Sequence, residues 1–308
     1  MDTVRSKLKQ GLTAGVKKGW DGFLWMLKIL VPISLFTALF EYSGWIYKIS
    51  FLLEPGMNLL NLPPIAVLPL MVGLLTGIYG GIAAMVTLPL THDQMTLVAI
   101  FILISHNLIQ EGVIQGKSGM HPFKATVLRL SASIITVLIV SLFLQTKITG
   151  LAAKDAAIAA HLPLLPMLQS WLVAMFNLSL KMFAIIMVLM VLLECLKSFN
   201  MIQHFVKIMN PLLIVMGLNK RVGVLWLTAT VFGIAYGGAV IVEEAREENL
   251  TKKELERLHL SIGINHSMIE DPALFLALGL SAFWMWIPRL ITAVVAVRLF
   301  DLYSKIKL

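Results

Sequence analysis

Gly77-Ile78-Tyr79-Gly80-Gly81 and the later stretch Ser105-His106-Asn107-Leu108-Ile109-Gln110-Glu111-Gly112 both return in the second half of the chain. They recur as Gly233-Ile234-Ala235-Tyr236-Gly237-Gly238 and Asn265-His266-Ser267-Met268-Ile269-Glu270-Asp271-Pro272. Working outward, Lys28, Glu41, Pro55 and Arg129 find partners in Lys181, Glu194, Pro211 and Arg289. The offset between partners grows only from 153 at Lys28 to 160 at Arg129, so one unit has been duplicated with small insertions. In an apolar chain, a duplicated unit interrupted at matching places points to a transporter-like core with its binding site at the interruptions.

Of 308 residues, 58% are hydrophobic and 14% charged, with mean hydropathy +0.85, which excludes an ordinary soluble domain. Six stretches are long enough to cross ~30 Å of hydrocarbon as helix: roughly 23–40, 95–114, 125–144, 171–193, 258–276 and 282–300. Backbone groups in lipid have to be satisfied within the protein, and the ten-residue alternation of barrel strands is missing. The expected class is an all-α integral membrane protein. The net charge of +8 sits at the ends of apolar segments rather than in one patch with aromatics. That pattern signals topology and argues against nucleic acid. Residues 1–19 are expected to be a cytoplasmic basic segment ahead of an uncleaved first helix. The single cysteine, Cys195, excludes an internal disulfide and a cysteine-rich metal site.

The glycine-rich centres lie in 64–90 and 222–242, and whether these segments cross the membrane decides the architecture. If they do not cross, the cytoplasmic side collects 18 lysines and arginines against three outside, Lys48, Lys147 and Lys154; crossing weakens that bias. The expectation is therefore two inverted-topology repeats, each with an interfacial helix (44–62 and 198–218), a re-entrant helical hairpin and three spanning helices. Repeat 1 occupies 20–145, a linker 146–169, and repeat 2 residues 170–303. Glu243 to Arg257 reads as a charged helix extension.

On a continuous helix His106 shares a face with Gln110, and His266 with Glu270, while Glu111 and Asp271 point elsewhere. Gly112 and Pro272 mark where unwinding would free carbonyls for a ligand. Arg129 and Arg289 each follow their histidine by 23 residues. At membrane depth such groups need partners, and Glu111 or Asp271 would serve while the arginines balance charge. Lys28 with Glu41, and Lys181 with Glu194, are expected to snorkel to opposite interfaces. The glycine pairs after Tyr79 and Tyr236 are expected to form hairpin tips whose amides meet a ligand.

At these motifs the chain resembles the bacterial nucleoside-recognition, or Gate, domain family over most of residues 20–300. That family is similar to the cores of concentrative nucleoside transporters, of the membrane part of ferrous-iron transport protein B and of spore maturation membrane proteins. The resemblance implies hairpin tips facing partly unwound helices at the membrane midplane.

The expected function is a small secondary transporter of the bacterial cytoplasmic membrane, both termini cytoplasmic, moving a polar or anionic solute with proton coupling. Its expected substrate-binding residues are Tyr79, Gly80, Gly81, His106, Asn107, Gln110, Glu111, Tyr236, Gly237, Gly238, Asn265, His266, Ser267, Glu270 and Asp271. No cofactor, bound metal or nucleic acid is expected; the partners are the solute, the bilayer and further copies of the chain. One alternative is a divalent-metal permease using His106, Gln110, His266 and Glu270; another is a non-transporting module of a larger assembly. Nothing resembles a nucleophile elbow, phosphate loop or metalloprotease helix, so no enzyme is expected.

Overall fold

The computed structural model describes residues 2–48, 50–146, 163–199, 201–247 and 250–306, and every element among them is helical. The first copy runs α1 (Asp2–Tyr42), α2 (Trp45–Lys48), α3 (Ser50–Leu59), α4 (Val67–Thr76), α5 (Ile78–Met85), α6 (His92–Ser105), α7 (Leu108–Lys117) and α8 (Pro122–Ser141). The second runs α9 (Leu164–Ser198), α10 (Ile202–Val215), α11 (Lys220–Glu247), α12 (Lys252–Asn265), α13 (Glu270–Leu276) and α14 (Ala282–Ile306). Most of the predicted linker, residues 147–162, lies outside the described residues; α9 already begins at Leu164.

Five described helical segments are long and apolar enough to span a membrane: Val4–Tyr42, His92–Lys117, Pro122–Ser141, Leu164–Ser198 and Ala282–Ile306. The sixth predicted span, 258–276, is not among them. It splits into α12 and the seven-residue α13, and it carries His259 and Ser261 near its start and Asn265 and His266 at its centre. Residues 2–19 are not a separate segment either. They continue into α1, whose 41 residues measure about 60 Å, twice the hydrocarbon thickness.

The glycine-rich segments are hairpins. Gly77 (φ 93°, ψ −172°) separates α4 from α5, and Gly233 (φ 81°, ψ 166°) bends α11 at the equivalent place. Only glycine adopts that backbone readily. A Cβ at Gly81 would lie 3.3 Å from Gly73 Cα, and one at Gly237 2.5 Å from Ala229 Cα. Eight residues of straight helix would separate those atoms by about 12 Å, so in both copies the second arm folds back onto the first. At ten and eight residues, α4 and α5 reach about 15 and 12 Å, half of a bilayer core. The reversal falls at Gly77 and Gly233, before the Tyr-Gly-Gly sequences expected at the tip. Gly80 and Gly81 are instead buried inside α5, where they let Ile33, Val72 and Ile102 approach. The segments Leu52–Leu59 and Pro64–Thr76 meet at 85°.

α6 is the centre of the molecule, with Leu97 to Ile104 at most 5% exposed. Around it pack α4, α5, α8, α12 and α14. The predicted charged extension at 243–257 is divided. α11 ends at Glu247, and α12 starts afresh behind a capping box in which Thr251 and Glu254 satisfy each other's backbone amides.

At the periphery α1 and α9 pack along much of their lengths through small residues. Gly11 faces Cys195, Gly15 faces Val191 and Gly19 faces Met187, so the two helices run antiparallel, in the small-xxx-small manner of membrane helix pairs. Near that end Lys18 binds Glu194 at 2.8 Å, and Lys197 adds a contact at 3.2 Å. Glu194 therefore has basic partners rather than snorkelling opposite Lys181. A Cβ at Gly15 would fall 2.5 Å from Val191 Cα. Gly15→Leu is accordingly expected to cost about 1–3 kcal/mol, read as a lower unfolding temperature in detergent.

Candidate functional site

Both histidine motifs are helix breaks, and the breaks match. α6 ends at His106 (φ −66°, ψ 158°) and Asn107 follows at φ 50°; α12 ends at His266 (φ −66°, ψ 157°) and Ser267 follows at φ 50°. Asn tolerates the left-handed region and serine less so. What holds both residues there is the neighbouring hairpin. Asn107 donates its backbone N–H to Gly73 O at 3.0 Å, and Ser267 donates its own to Ala229 O at 3.2 Å. The breaks fall five residues before Gly112 and Pro272, which stand inside α7 and in the first turn of α13, where proline is tolerated.

A break inside the membrane frees carbonyls, and the arginines receive them. Arg129 donates from Nε to Ile104 O at 2.9 Å and from Nη2 to His106 O at 2.8 Å. Arg289 donates to Ile264 O from Nε at 3.1 Å and Nη2 at 2.9 Å, and from Nη2 to His266 O at 2.8 Å. Both side chains are at most 1% exposed. Of the two expected ion pairs, Arg129 makes one, with Nη1 2.8 Å from Glu111 Oε2. No ion pair joins Arg289 to Asp271 among the described contacts, and Arg289 Nη1 has no hydrogen-bond partner.

The breaks also turn the two imidazoles toward each other. His106 and His266 each place Nδ1 2.9 Å from the carbonyl four residues earlier, Ile102 or Ile262. A carbonyl only accepts, so Nδ1 carries a proton in both rings, and each Nε2 faces inward. The two Nε2 atoms are 3.3 Å apart. Glu111 closes the group, Oε1 3.0 Å from His106 Nε2 and Oε2 3.1 Å from His266 Nε2; Asp271 Oδ2 lies 3.7 Å from His106 Nε2. Glu111 and Asp271 were expected to point away. The break cancels the i,i+4 relation and brings them in instead.

Gln110 is correspondingly displaced. It is exposed and accepts a 2.9 Å hydrogen bond from Asn107 Nδ2. Glu270 accepts a 3.0 Å hydrogen bond from Tyr79 OH, joining the first hairpin to the second broken helix. The ligand set His106, Gln110, His266 and Glu270 is therefore not assembled. Among the described residues, the histidine–acid group that forms is His106, His266 and Asp271. Asn265 is fully buried beside it, with both amide atoms unpartnered, and Ser267 packs against Gly233. Gly237 and Gly238 are buried by close packing on Ala229 and Ile114; the Tyr236 side chain lies outside the described part. Sequence reading missed a second link between the copies. Gln115 Nε2 donates to His259 O at 3.3 Å, and His259 Nε2 lies 2.8 Å from Ser118 O. His259, a histidine in an apolar stretch seven residues before His266, was the available signal.

The family model described as Gate, nucleoside recognition, matches residues 23–154. Residues 23–154 of this membrane protein are thus similar to the Gate family. The match spans the first copy from within α1 to beyond α8, and internal duplication extends the same pattern to the second. The uncharacterized membrane protein YvoD of Bacillus subtilis (strain 168) is 26% identical over 289 residues, covering 92% of this chain and 90% of its own length. No solved structure matches the chain.

Removing Glu111 from the Gate-like core leaves Arg129 buried without its counter-charge, a loss of about 3–5 kcal/mol by analogy with broken buried pairs. Glu111→Ala is expected to lower the unfolding temperature in detergent well below that of the exposed-site variant Gln110→Ala, whose change should stay within about 0.5 kcal/mol. Equal shifts would show that the buried pair is not what stabilises the break.

Proposed function

We propose that this protein is a small secondary transporter of the cytoplasmic membrane, with a polar or anionic small solute bound where the two broken helices meet. The observation that carries this reading is the buried convergence of His106, His266, Glu111, Asp271 and two arginines on a pair of matched helix breaks. Ionisable groups at membrane depth are costly and mark solute or ion pathways, and interrupted helices in duplicated halves are where transporters place their sites. The antiparallel seating of α1 on α9, the first helices of the two copies, supports opposite orientations for the repeats. The Gate description points toward nucleosides as the first solutes to try.

A way in is at hand. A cavity of about 710 Å³ opens among Glu41, Tyr42, His92, Trp171, Asn177 and Lys181. Met85 at the end of α5 and Ala277 just past α13 also line it, while Tyr79 and Glu270, near the opposite ends of those helices, hydrogen-bond in front of the cluster. Solute entering there would follow α5 and α13 inward, with the Tyr79–Glu270 bond as the last barrier. Proton coupling would use the two imidazoles.

Reconstituted in proteoliposomes and screened against labelled nucleosides and small carboxylates, the protein should accumulate at least one of them. His106→Ala and His266→Ala should each reduce that uptake at least tenfold, and Tyr79→Phe should change its apparent KM. Uptake unchanged in both histidine variants would remove the proposal.

A further inference from the structure

The central cluster gathers ligand atoms of four side chains. Both Nδ1 positions are committed to carbonyl groups, which leaves the two Nε2 atoms and the oxygens of Glu111 and Asp271 facing one another within 3.0–3.7 Å of His106 Nε2 or His266 Nε2. Asp271 is 8% exposed, and its Oδ2 has no hydrogen-bond partner. A proton relieves one such pair of atoms; an ion at the centre relieves all of them.

The distances suit such an ion. In tetrahedral coordination with metal–nitrogen bonds of about 2.0–2.1 Å, neighbouring donor atoms are about 3.3–3.4 Å apart; His106 Nε2 and His266 Nε2 are separated by 3.3 Å. Donor atoms of His106, His266 and Asp271 all fall within 4.8 Å of one another. The surroundings fit too. Histidine ligands ordinarily anchor their other ring nitrogen on a carbonyl or carboxylate, as both do here. Glu111, restrained by Arg129, stands beside the nitrogen pair as an outer carboxylate or further ligand.

We propose that His106, His266 and Asp271 bind one divalent transition-metal ion of the zinc, iron(II) or manganese class, joining the two copies at the membrane's middle. Imidazole with carboxylate favours these ions over calcium or magnesium. Three protein donors leave a tetrahedral position open. The formal charges of Glu111, Asp271, Arg129 and Arg289 cancel, so the ion brings uncompensated positive charge. An anion in the open position would offset it, and Arg289, bonded to the His266 carbonyl with its Nη1 unpartnered, would add attraction for it. This last point alone rests on the transport reading, and it narrows the solute to a small anion able to ligate metal.

The test is direct titration of tag-free, chelator-stripped protein in detergent with Co²⁺. One equivalent should bind per chain, with the intense visible absorption of a tetrahedral site, and Zn²⁺ should displace it. His266→Ala and Asp271→Asn should each lose the band, while His121→Ala, altering an exposed histidine, should keep it. As a second measurement on the unmodified protein, Zn²⁺ should raise the unfolding temperature in a dose-dependent way, so the proposal can be tested even if a variant misfolds. Absence of both the band and a thermal shift with Zn²⁺, Fe²⁺ or Mn²⁺ would overturn the metal site. Solute uptake that survives full chelation would then leave the transport reading standing, whereas metal binding without uptake of any solute would leave the metal site without a transporter.

Discussion

A helix broken in the middle of a membrane leaves carbonyl groups that water cannot reach, and their satisfaction is the constraint on which this structure depends. Each unbonded group in hydrocarbon costs several kcal/mol. Here one arginine from the following helix supplies the donors in each copy, Arg129 at Ile104 and His106, Arg289 at Ile264 and His266. A guanidinium presents several donors in a fixed fork, which lysine could not reproduce at two carbonyls. The short hairpins provide the other half of the support, accepting the backbone amides of Asn107 and Ser267.

Once the breaks are held, the chemistry of the centre follows from small sequence differences between the copies. Glu111 and Asp271 are partners in the duplication and differ by one methylene. The longer side chain reaches both imidazoles and Arg129, while the shorter stops 3.7 Å from His106 with one oxygen unpartnered. Gln110 and Glu270 are likewise partners, yet one turns to Asn107 and the exterior and the other to Tyr79. The duplicated backbone is thus close to symmetric and its polar centre is not. A solute or ion bound there as proposed would meet one preferred pose rather than two equivalent ones.

Much of this was legible in the sequence because the signal was redundant. Paired motifs, glycine-centred segments and the 23-residue spacing from histidine to arginine located both hairpins, both interruptions and the Arg129–Glu111 pair. The side chains at the centre were misassigned for a single reason: the i,i+4 rule presumes an unbroken helix, and His106 and His266 are themselves the residues at which the helix stops. Gly112 and Pro272 drew attention because they are the residue types that usually end helices, whereas an asparagine and a serine held by distant carbonyls give no local warning. The Gly11, Gly15 and Gly19 spacing is that of a small-residue motif, but its basic neighbours make residues 1–19 read as a cytoplasmic segment ahead of the first helix. The sixth span is not one long apolar helix because it breaks at His266 and Ser267 and carries His259, Ser261 and Asn265.

The central claim is that positions 106 and 266, 160 residues apart in sequence, meet inside the membrane. A doubly substituted His106→Cys, His266→Cys protein, with Cys195→Ser, treated in membranes with the shortest bifunctional thiol-specific cross-linker, tests it most directly. The account predicts an efficient link within one chain, with both thiols then closed to labelling. Two thiols that label independently and never link, in a protein that is otherwise folded, would contradict it.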